Sequence, residues 1–99
     1  MTNKLTNEEK ELALSAKDAH NLIEMTNSNG WKVIKEMYFD VNIEKCKEYL
    51  EDTKNTDMFM IQAKRELLKF IQELLADIKL TIGIGLENEK ELQERKNKK

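Results

Sequence analysis

Proline is absent from this sequence of 99 residues, and cysteine, glycine and aromatic side chains are scarce. Because sandwiches and barrels consist of many short strands joined by proline- and glycine-rich turns, this scarcity argues against an all-β fold. Cys46 is the only cysteine, so no disulfide can form within the chain. No apolar run approaches the roughly 20 residues of a membrane span, and no apolar secretion segment follows residues 1–4. We therefore expect a cytoplasmic protein with no membrane partner.

Charged residues make up 36% of the chain and hydrophobic residues 39%, which is typical of long helices in water. The 17 basic and 19 acidic residues are interspersed and leave a net charge of -2. No field of one sign therefore indicates nucleic acid as a partner. The exception is a basic run at the end, which we interpret as solvated rather than phosphate-binding: Arg95, Lys96, Lys98 and Lys99.

The stretch from Met60 to Ile82 has apolar residues every three or four positions, the spacing of an amphipathic helix. Thr56 and Asp57 are placed to cap it, which predicts a helix over 57–82. Two glycines in three positions, Gly83-Ile84-Gly85, favour a left-handed C-cap and should end the helix there. The charged residues that follow are predicted to form a short helix or to be disordered.

Two further helices are predicted before this one. Thr6 and Glu9 have the spacing of a capping box, which begins a first helix over 6–26. Ala16 and Ala19 on its apolar face indicate a close approach of another helix. Ser28 is the expected N-cap of a second helix over 28–52. The apolar face of that helix drifts around its axis midway, which indicates a bend or two neighbours.

These elements predict an all-α fold, a three-helix bundle in which the second and third helices form a long antiparallel helical hairpin. We expect a disordered N-terminus over 1–5, a single helical domain over 6–85 and a charged C-terminal tail over 86–99.

Patterns that carry chemistry in other proteins are incomplete in this one. Gly83 and Gly85 could begin a dinucleotide fingerprint, but Asn88 stands where its third glycine belongs. The acids from Asp40 to Glu51 follow the spacing of a calcium-binding loop, but Lys45 occupies the position that needs glycine for the sharp turn. These acids are better interpreted as one polar flank of the second helix.

His20 and Glu24 could offer two metal ligands on one helical turn, with Asp18 or Cys46 as a third ligand, or with Cys46 as a nucleophile. A lone histidine is more often a partly exposed helix residue, and a lone cysteine is more often a small buried apolar group. We therefore predict no catalytic residue, no metal, no cofactor and no small-molecule substrate, and a protein that is not an enzyme.

The apolar residues cover more than half of the circumference of the third helix, which is more than the small first helix can bury. We therefore expect contact with another protein or with a second copy in a homo-oligomer. Trp31 is either a core anchor at the start of the second helix or an exposed interface anchor. The predicted interface residues are Trp31, Ile34, Tyr38, Met60, Leu67, Phe70, Ile71, Leu74 and Ile78.

The segment Asn27-Ser28-Asn29-Gly30-Trp31 precedes Ile34 and Tyr38 on a long amphipathic helix, and a leucine-rich helix with Gln62 and Leu67-Leu68 follows. This arrangement resembles small helical proteins encoded in the head-morphogenesis and packaging regions of tailed-phage genomes. The resemblance covers residues 12–80, and Gly30-Trp31 is its specific element. It implies a virion, packaging or assembly accessory of the host cytoplasm or the virion that acts by contact, and it transfers no catalytic residue.

Two functional hypotheses follow. The first is a non-enzymatic protein–protein interaction or assembly accessory. The alternative is a small inhibitor that blocks a nucleic-acid enzyme or a host protein, with acids that imitate phosphates. Contact through charges should weaken with salt, whereas an apolar interface should persist. The acidic flank of the alternative consists of Glu36, Asp40, Glu44, Glu48, Glu51 and Asp52.

Overall fold

The computed structural model describes residues 5–98, and this part of the chain is helical with no strand, so the all-α prediction is confirmed. The predicted disordered N-terminus lies outside the described residues except for Leu5, which precedes the first helix. Lys99, the last residue of the basic run, lies outside them too. The elements in order are α1 (Asn7–Thr26), α2 (Asn29–Ile34), a π-helical segment (Lys35–Asp40), α3 (Val41–Glu51) and α4 (Met58–Asn97).

Side-chain hydrogen bonds cap the N-termini of the helices at the residues that the sequence predicts. In the capping box, the Glu9 backbone N–H donates to Thr6 Oγ1 at 3.1 Å, and the Thr6 N–H donates to Glu9 Oε1 at 3.2 Å. The Trp31 N–H donates to Ser28 Oγ at 3.1 Å, which confirms the second cap. At the start of α4 the capping oxygen is Oδ1 of Asp57. Local hydrogen bonding therefore fixes where these helices begin.

The predicted end of the third helix at residue 82 is wrong, because α4 continues through Gly83 and Gly85 to Asn97. No glycine in the described chain has a positive φ, so neither residue forms a left-handed cap. A glycine inside a helix costs about 0.5–1 kcal/mol relative to alanine. Packing against α1 offsets this cost, since Gly85 and Leu92 are both buried. The described part of the predicted tail is helical.

The π-helical segment explains the drift in the apolar face of the second predicted helix. α2, the π-helical segment and α3 follow one another without an interruption over residues 29–51. Because a π-helix closes i→i+5 hydrogen bonds, each residue advances less around the axis than in an α-helix. The segment therefore rotates the covered side chains of α3 back into line with Trp31 and Phe39. The face that drifts in an ideal α-helix is thus kept on one side.

The contacts of the chain define two compact units. In the described residues, the terminal unit comprises 5–26 and 77–98, and the central unit comprises 27–76. The first part of α4 belongs to the central unit and the rest to the terminal unit. The predicted division into a domain over 6–85 and a tail stays a prediction.

In the terminal unit, α1 packs antiparallel to the second part of α4. Arg95 Nη2 donates to Glu8 Oε1 at 2.8 Å, and Asn88 Nδ2 donates to Ser15 Oγ at 2.9 Å. The residue numbers therefore increase along one helix as they decrease along the other. A Cβ added at Gly85 of α4 would overlap the Ala19 Cβ of α1, which confirms the close approach predicted from the alanines. The hydrophobic side chains that these helices bury are Leu12, Ala16, Ala19 and Leu92.

Candidate interaction surface

The central unit buries few of its apolar side chains. Cys46 is 1% exposed and Ile71 is 3% exposed, and they are the only described residues of this unit that are fully buried. Single exposed apolar residues are common on protein surfaces, but a concentration of large ones within 50 residues is not. Ten large apolar side chains of the central unit are exposed: Val33, Ile34, Met37, Tyr38, Val41, Met58, Phe59, Met60, Leu67 and Phe70.

The first part of α4 carries one continuous apolar stripe, which we call the α4 stripe. Its members are four, four, three and four positions apart, so they lie along one side of the helix. Phe59 is 90% exposed and Phe70 is 63% exposed. Ala63 and Leu67 are also exposed, and Leu74 is half-buried at the far end. The α4 stripe consists of Phe59, Ala63, Leu67, Phe70 and Leu74.

Asp57 fixes the start of the α4 stripe. Its Oδ1 accepts hydrogen bonds from the backbone N–H groups of Phe59 at 3.0 Å and Met60 at 3.2 Å. A carboxylate at this position satisfies two backbone donors that would otherwise lack partners and complements the helix dipole. The cap therefore orders the first turn of the helix although the Phe59 side chain packs against little.

A second exposed apolar surface lies on the helix that precedes α4, and we call it the second stripe. Residues four positions apart stay near one line in the wide winding of a π-helix, so Val33, Met37 and Val41 form one row and Ile34 and Tyr38 form another. All five side chains are exposed. The opposite side of this helix is covered, and there the rings of Trp31 and Phe39 pack with centroids 5.8 Å apart.

The predicted interface residues divide into exposed and covered groups. Ile34, Tyr38, Met60, Leu67 and Phe70 are exposed on the central unit. Ile71 is buried within that unit, whereas Trp31 and Leu74 are half-buried in it, and Ile78 is half-buried in the terminal unit. Helical periodicity cannot tell which side of a wide stripe is covered by the chain itself.

The predicted interface residues do not include Phe59, the most exposed of these large side chains, or Val33, Met37 and Val41. Phe59 lies four residues before Ala63, so its spacing already places it at the start of the apolar repeat. Met37 and Val41 lie on the apolar face that the sequence predicts for the second helix, but periodicity does not show that this side is exposed.

The charges beside the α4 stripe are of both signs. Glu66 and Lys69 lie on its outer flank and are exposed. The Gln62 side-chain amide donates to Glu66 Oε1 at 3.0 Å, which holds this carboxylate beside the stripe. On the covered side, Lys64 Nζ lies 5.8 Å from the centre of the Tyr49 ring. The stripe itself carries no charge.

The residues considered for chemistry lie in separate units or in helix. His20 Nε2 lies 2.6 Å from Glu89 Oε2 in the terminal unit, whereas Cys46 is buried in the central unit. Asp40 accepts two hydrogen bonds from Lys35 Nζ at 3.2 and 3.1 Å, and residues 40–51 lie in helix rather than in a loop. Within residues 5–98, no three histidine, cysteine, aspartate or glutamate side chains are grouped to hold a metal.

Arg95, part of the predicted basic run, is held within the terminal unit. Hydrogen bonds from its guanidinium to Glu8, first, and to Glu91 raise the pKa of Arg95 above its usual value. Both Nη2–carboxylate distances are 2.8 Å. Arg95 therefore joins α1 to α4 by charge-assisted hydrogen bonds rather than belonging to a wholly solvated tail.

In the described part of the chain, no helix combines the length and the apolar character that crossing a membrane requires. No protein-family model, no curated protein and no solved structure matches the chain.

Proposed function

We propose that this protein is a non-enzymatic interaction or assembly accessory that binds another protein chain through the exposed apolar side chains of its central unit. The observation that carries the proposal is the contrast within this unit between ten exposed large apolar residues and two buried ones. Removing such side chains from water is the main driving force of protein association.

The exposed area is large enough to support specific binding. An uncovered aromatic side chain presents roughly 150–250 Å², so Tyr38, Phe59 and Phe70 together expose on the order of 400 Å². The seven aliphatic and methionine side chains that share the unit add an area at least as large. The sum is comparable with the roughly 800 Å² that each partner buries in an interface of standard size.

The antiparallel helical hairpin of the second and third predicted helices is part of this proposal. The connection over residues 52–57 is short, and a short connection between helices favours antiparallel neighbours. Asn55 within it donates a side-chain hydrogen bond to the Tyr49 carbonyl oxygen at 2.9 Å, and the Lys64 ammonium lies over the Tyr49 ring. A paired scaffold of this kind would hold both stripes in fixed positions.

The resemblance to small phage proteins of head morphogenesis and packaging adds an assembly role to the proposal. An accessory of that kind acts by covering or joining the surfaces of other subunits. A surface of large, adaptable apolar groups such as Met37, Met58 and Met60 suits this work.

Photo-crosslinking tests the proposal with a matched control. A photoreactive phenylalanine analogue at position 70 is compared with the same analogue at position 14, because Phe70 is 63% and Leu14 is 61% exposed. We expect a protein adduct from position 70 in purified protein or in cell extract, and little from position 14. Equal yields at both positions, or no adduct at position 70, would contradict the proposal.

The inhibitor hypothesis stays a prediction. Lys35 neutralises one acid of the flank, Asp40, which leaves a weaker imitation of a phosphate series. Salt separates the two functions, because binding through the acidic flank should fall steeply between low and physiological ionic strength. Binding through the apolar stripes should change little over the same range.

A further inference from the structure

We infer that the occupant of the α4 stripe is a second copy of this chain, packed antiparallel with the two copies of Leu67 facing each other. This inference rests on the proposed function, since it names the partner of the same surface. Three features of the stripe support it: the order of its side-chain sizes, the charges beside it and its apolar composition.

The sizes are complementary only when the second copy runs in the opposite direction. Leu67 is the middle of the five stripe residues, with Ala63 four positions before it and Phe70 three positions after it. A two-fold axis at Leu67 therefore places the small Ala63 of each copy opposite the large Phe70 of the other. Interfaces pack to the density of protein interiors, so a large group needs a small one opposite.

A parallel arrangement lacks this fit. It would place Phe70 against Phe70 and Ala63 against Ala63, with crowding at one level and a void at the next. In an isologous contact, by contrast, residue i meets j and j meets i, so the same match occurs twice.

The flanking charges favour the same direction. A two-fold axis at Leu67 brings Glu66 of each copy nearly level with Lys69 of the other. Glu66 comes just before Leu67 in the sequence and Lys69 comes shortly after it, so the axis exchanges their levels. In a parallel pair, each flank instead faces the opposite flank of the other helix, so Glu66 and Lys69 would not meet. Opposite charges at close range select the partner and fix the register.

The composition of the α4 stripe suits a self-contact. Phe59 and Phe70 alone expose roughly 300 Å² of aromatic surface, and the stripe itself is free of charge. Permanent homodimer interfaces are more apolar than those of transient complexes, and they resemble a domain core cut in half. An unlike partner selected by charge would be expected to meet a charged centre instead.

A size exchange tests the inference by sedimentation across a concentration series with the full chain. Ala63→Phe and Phe70→Ala should each weaken dimerisation by at least about 30-fold, the effect of losing one interface hot spot. The double variant, Ala63→Phe with Phe70→Ala, recreates a large group opposite a small one and should restore most of the affinity. Both positions are exposed in the single chain, so its fold should tolerate the exchange. A double variant no tighter than either single variant would overturn the antiparallel pairing.

Disulfide cross-linking tests the position of the axis. Leu67→Cys alone should give a covalent dimer, Phe59→Cys alone should not, and Phe59→Cys with Leu74→Cys should. The wild-type chain is the negative control, because its only cysteine, Cys46, is 1% exposed. Cross-linking of Phe59→Cys to itself would show a parallel pair and contradict the inference.

Different results would overturn the antiparallel pair and the proposed function. A wild-type monomer at every concentration would overturn the second copy as partner, but an adduct of position 70 with a different protein would still support the proposed function. A monomer that also gives no adduct at position 70 would overturn both.

Discussion

The terminal and central units use apolar residues differently. In the terminal unit half of the buried positions of α1 and α4 are small, namely Ala16, Ala19 and Gly85. The central unit has larger side chains on its exposed surfaces, including Phe59 and Phe70. Small side chains let two helices pack at a short distance. Large side chains form an apolar surface that is wider than one neighbouring helix can cover.

The comparison separates two reasons for an apolar stripe on a helix. One stripe is matched by a partner helix within the same unit, and its buried residues stabilise the fold. We propose that the other is covered by another chain, so that its residues contribute to association rather than to folding.

Ile71→Ala should lower the free energy of unfolding by about 2–5 kcal/mol, because it leaves a cavity in the small core of the central unit. Phe59→Ala is the control in the same helix, since its side chain is 90% exposed and its loss should change stability by less than about 0.5 kcal/mol. Urea unfolding of dilute protein measures both. Equal losses would show that the stripe is part of the fold.

Gly85→Ala should destabilise the terminal unit by about 1–3 kcal/mol, the usual cost of overpacking. A Cβ added at Gly85 would overlap the Ala19 Cβ and the Ser15 carbonyl oxygen. Gly83→Ala is the matched control, because a Cβ there meets nothing within 4 Å. It should stabilise the protein by about 0.5–1 kcal/mol, since alanine is the better helix former. Thermal unfolding of the two variants should therefore shift in opposite directions, and a shift in the same direction would contradict the close approach.

Asp57→Ala should cost about 1 kcal/mol, because the backbone donors of Phe59 and Met60 lose their acceptor. Asp57→Asn keeps an equivalent cap and should retain most of the stability. Circular dichroism during urea unfolding measures the difference. An asparagine variant as unstable as the alanine variant would show that the aspartate acts through its charge rather than as a cap.

Arg95→Gln should have the smallest effect, a decrease in Tm that salt reduces, because it removes exposed charge-assisted bonds to Glu8 and Glu91. The pKa of Arg95 is raised in the folded state, so its contribution is complete below the unfolded pKa and is lost only as pH rises through the folded pKa. The difference from wild type that arises from Arg95 protonation should therefore stay constant between about pH 6 and 9. A difference that vanishes on mild alkalisation would contradict this pairing.

Much of the fold was predictable because local signals specify it. The Thr6–Glu9 capping box and the Ser28 cap follow from side chains that reach their own backbone, and these caps lie where the sequence places them. Gly85 was not predictable in the same way. The local sequence favours a helix end, and only the presence of Ala19 on another helix gives the glycine its packing role.

The candidate surface shows the same limit. The periodicity of α4 predicts a wide apolar stripe on one side of the helix, and both Ile71 and Phe70 belong to this stripe. The first is buried and the second exposed, and periodicity alone does not distinguish them. The π-helical segment adds a rotation that the sequence shows only as a drift of the apolar face, which a bend or two neighbours would also explain.

Hydroxyl-radical footprinting across a concentration series tests the comparison most directly, because it measures the exposure of both units in one sample. The account predicts that oxidation of Phe59 and Phe70 falls as the protein concentration rises, while oxidation of Leu14 and Leu80 in the terminal unit stays constant. Protection that never develops at Phe59 and Phe70, or that develops equally at all four residues, would contradict the claim that the central unit is the surface other chains cover.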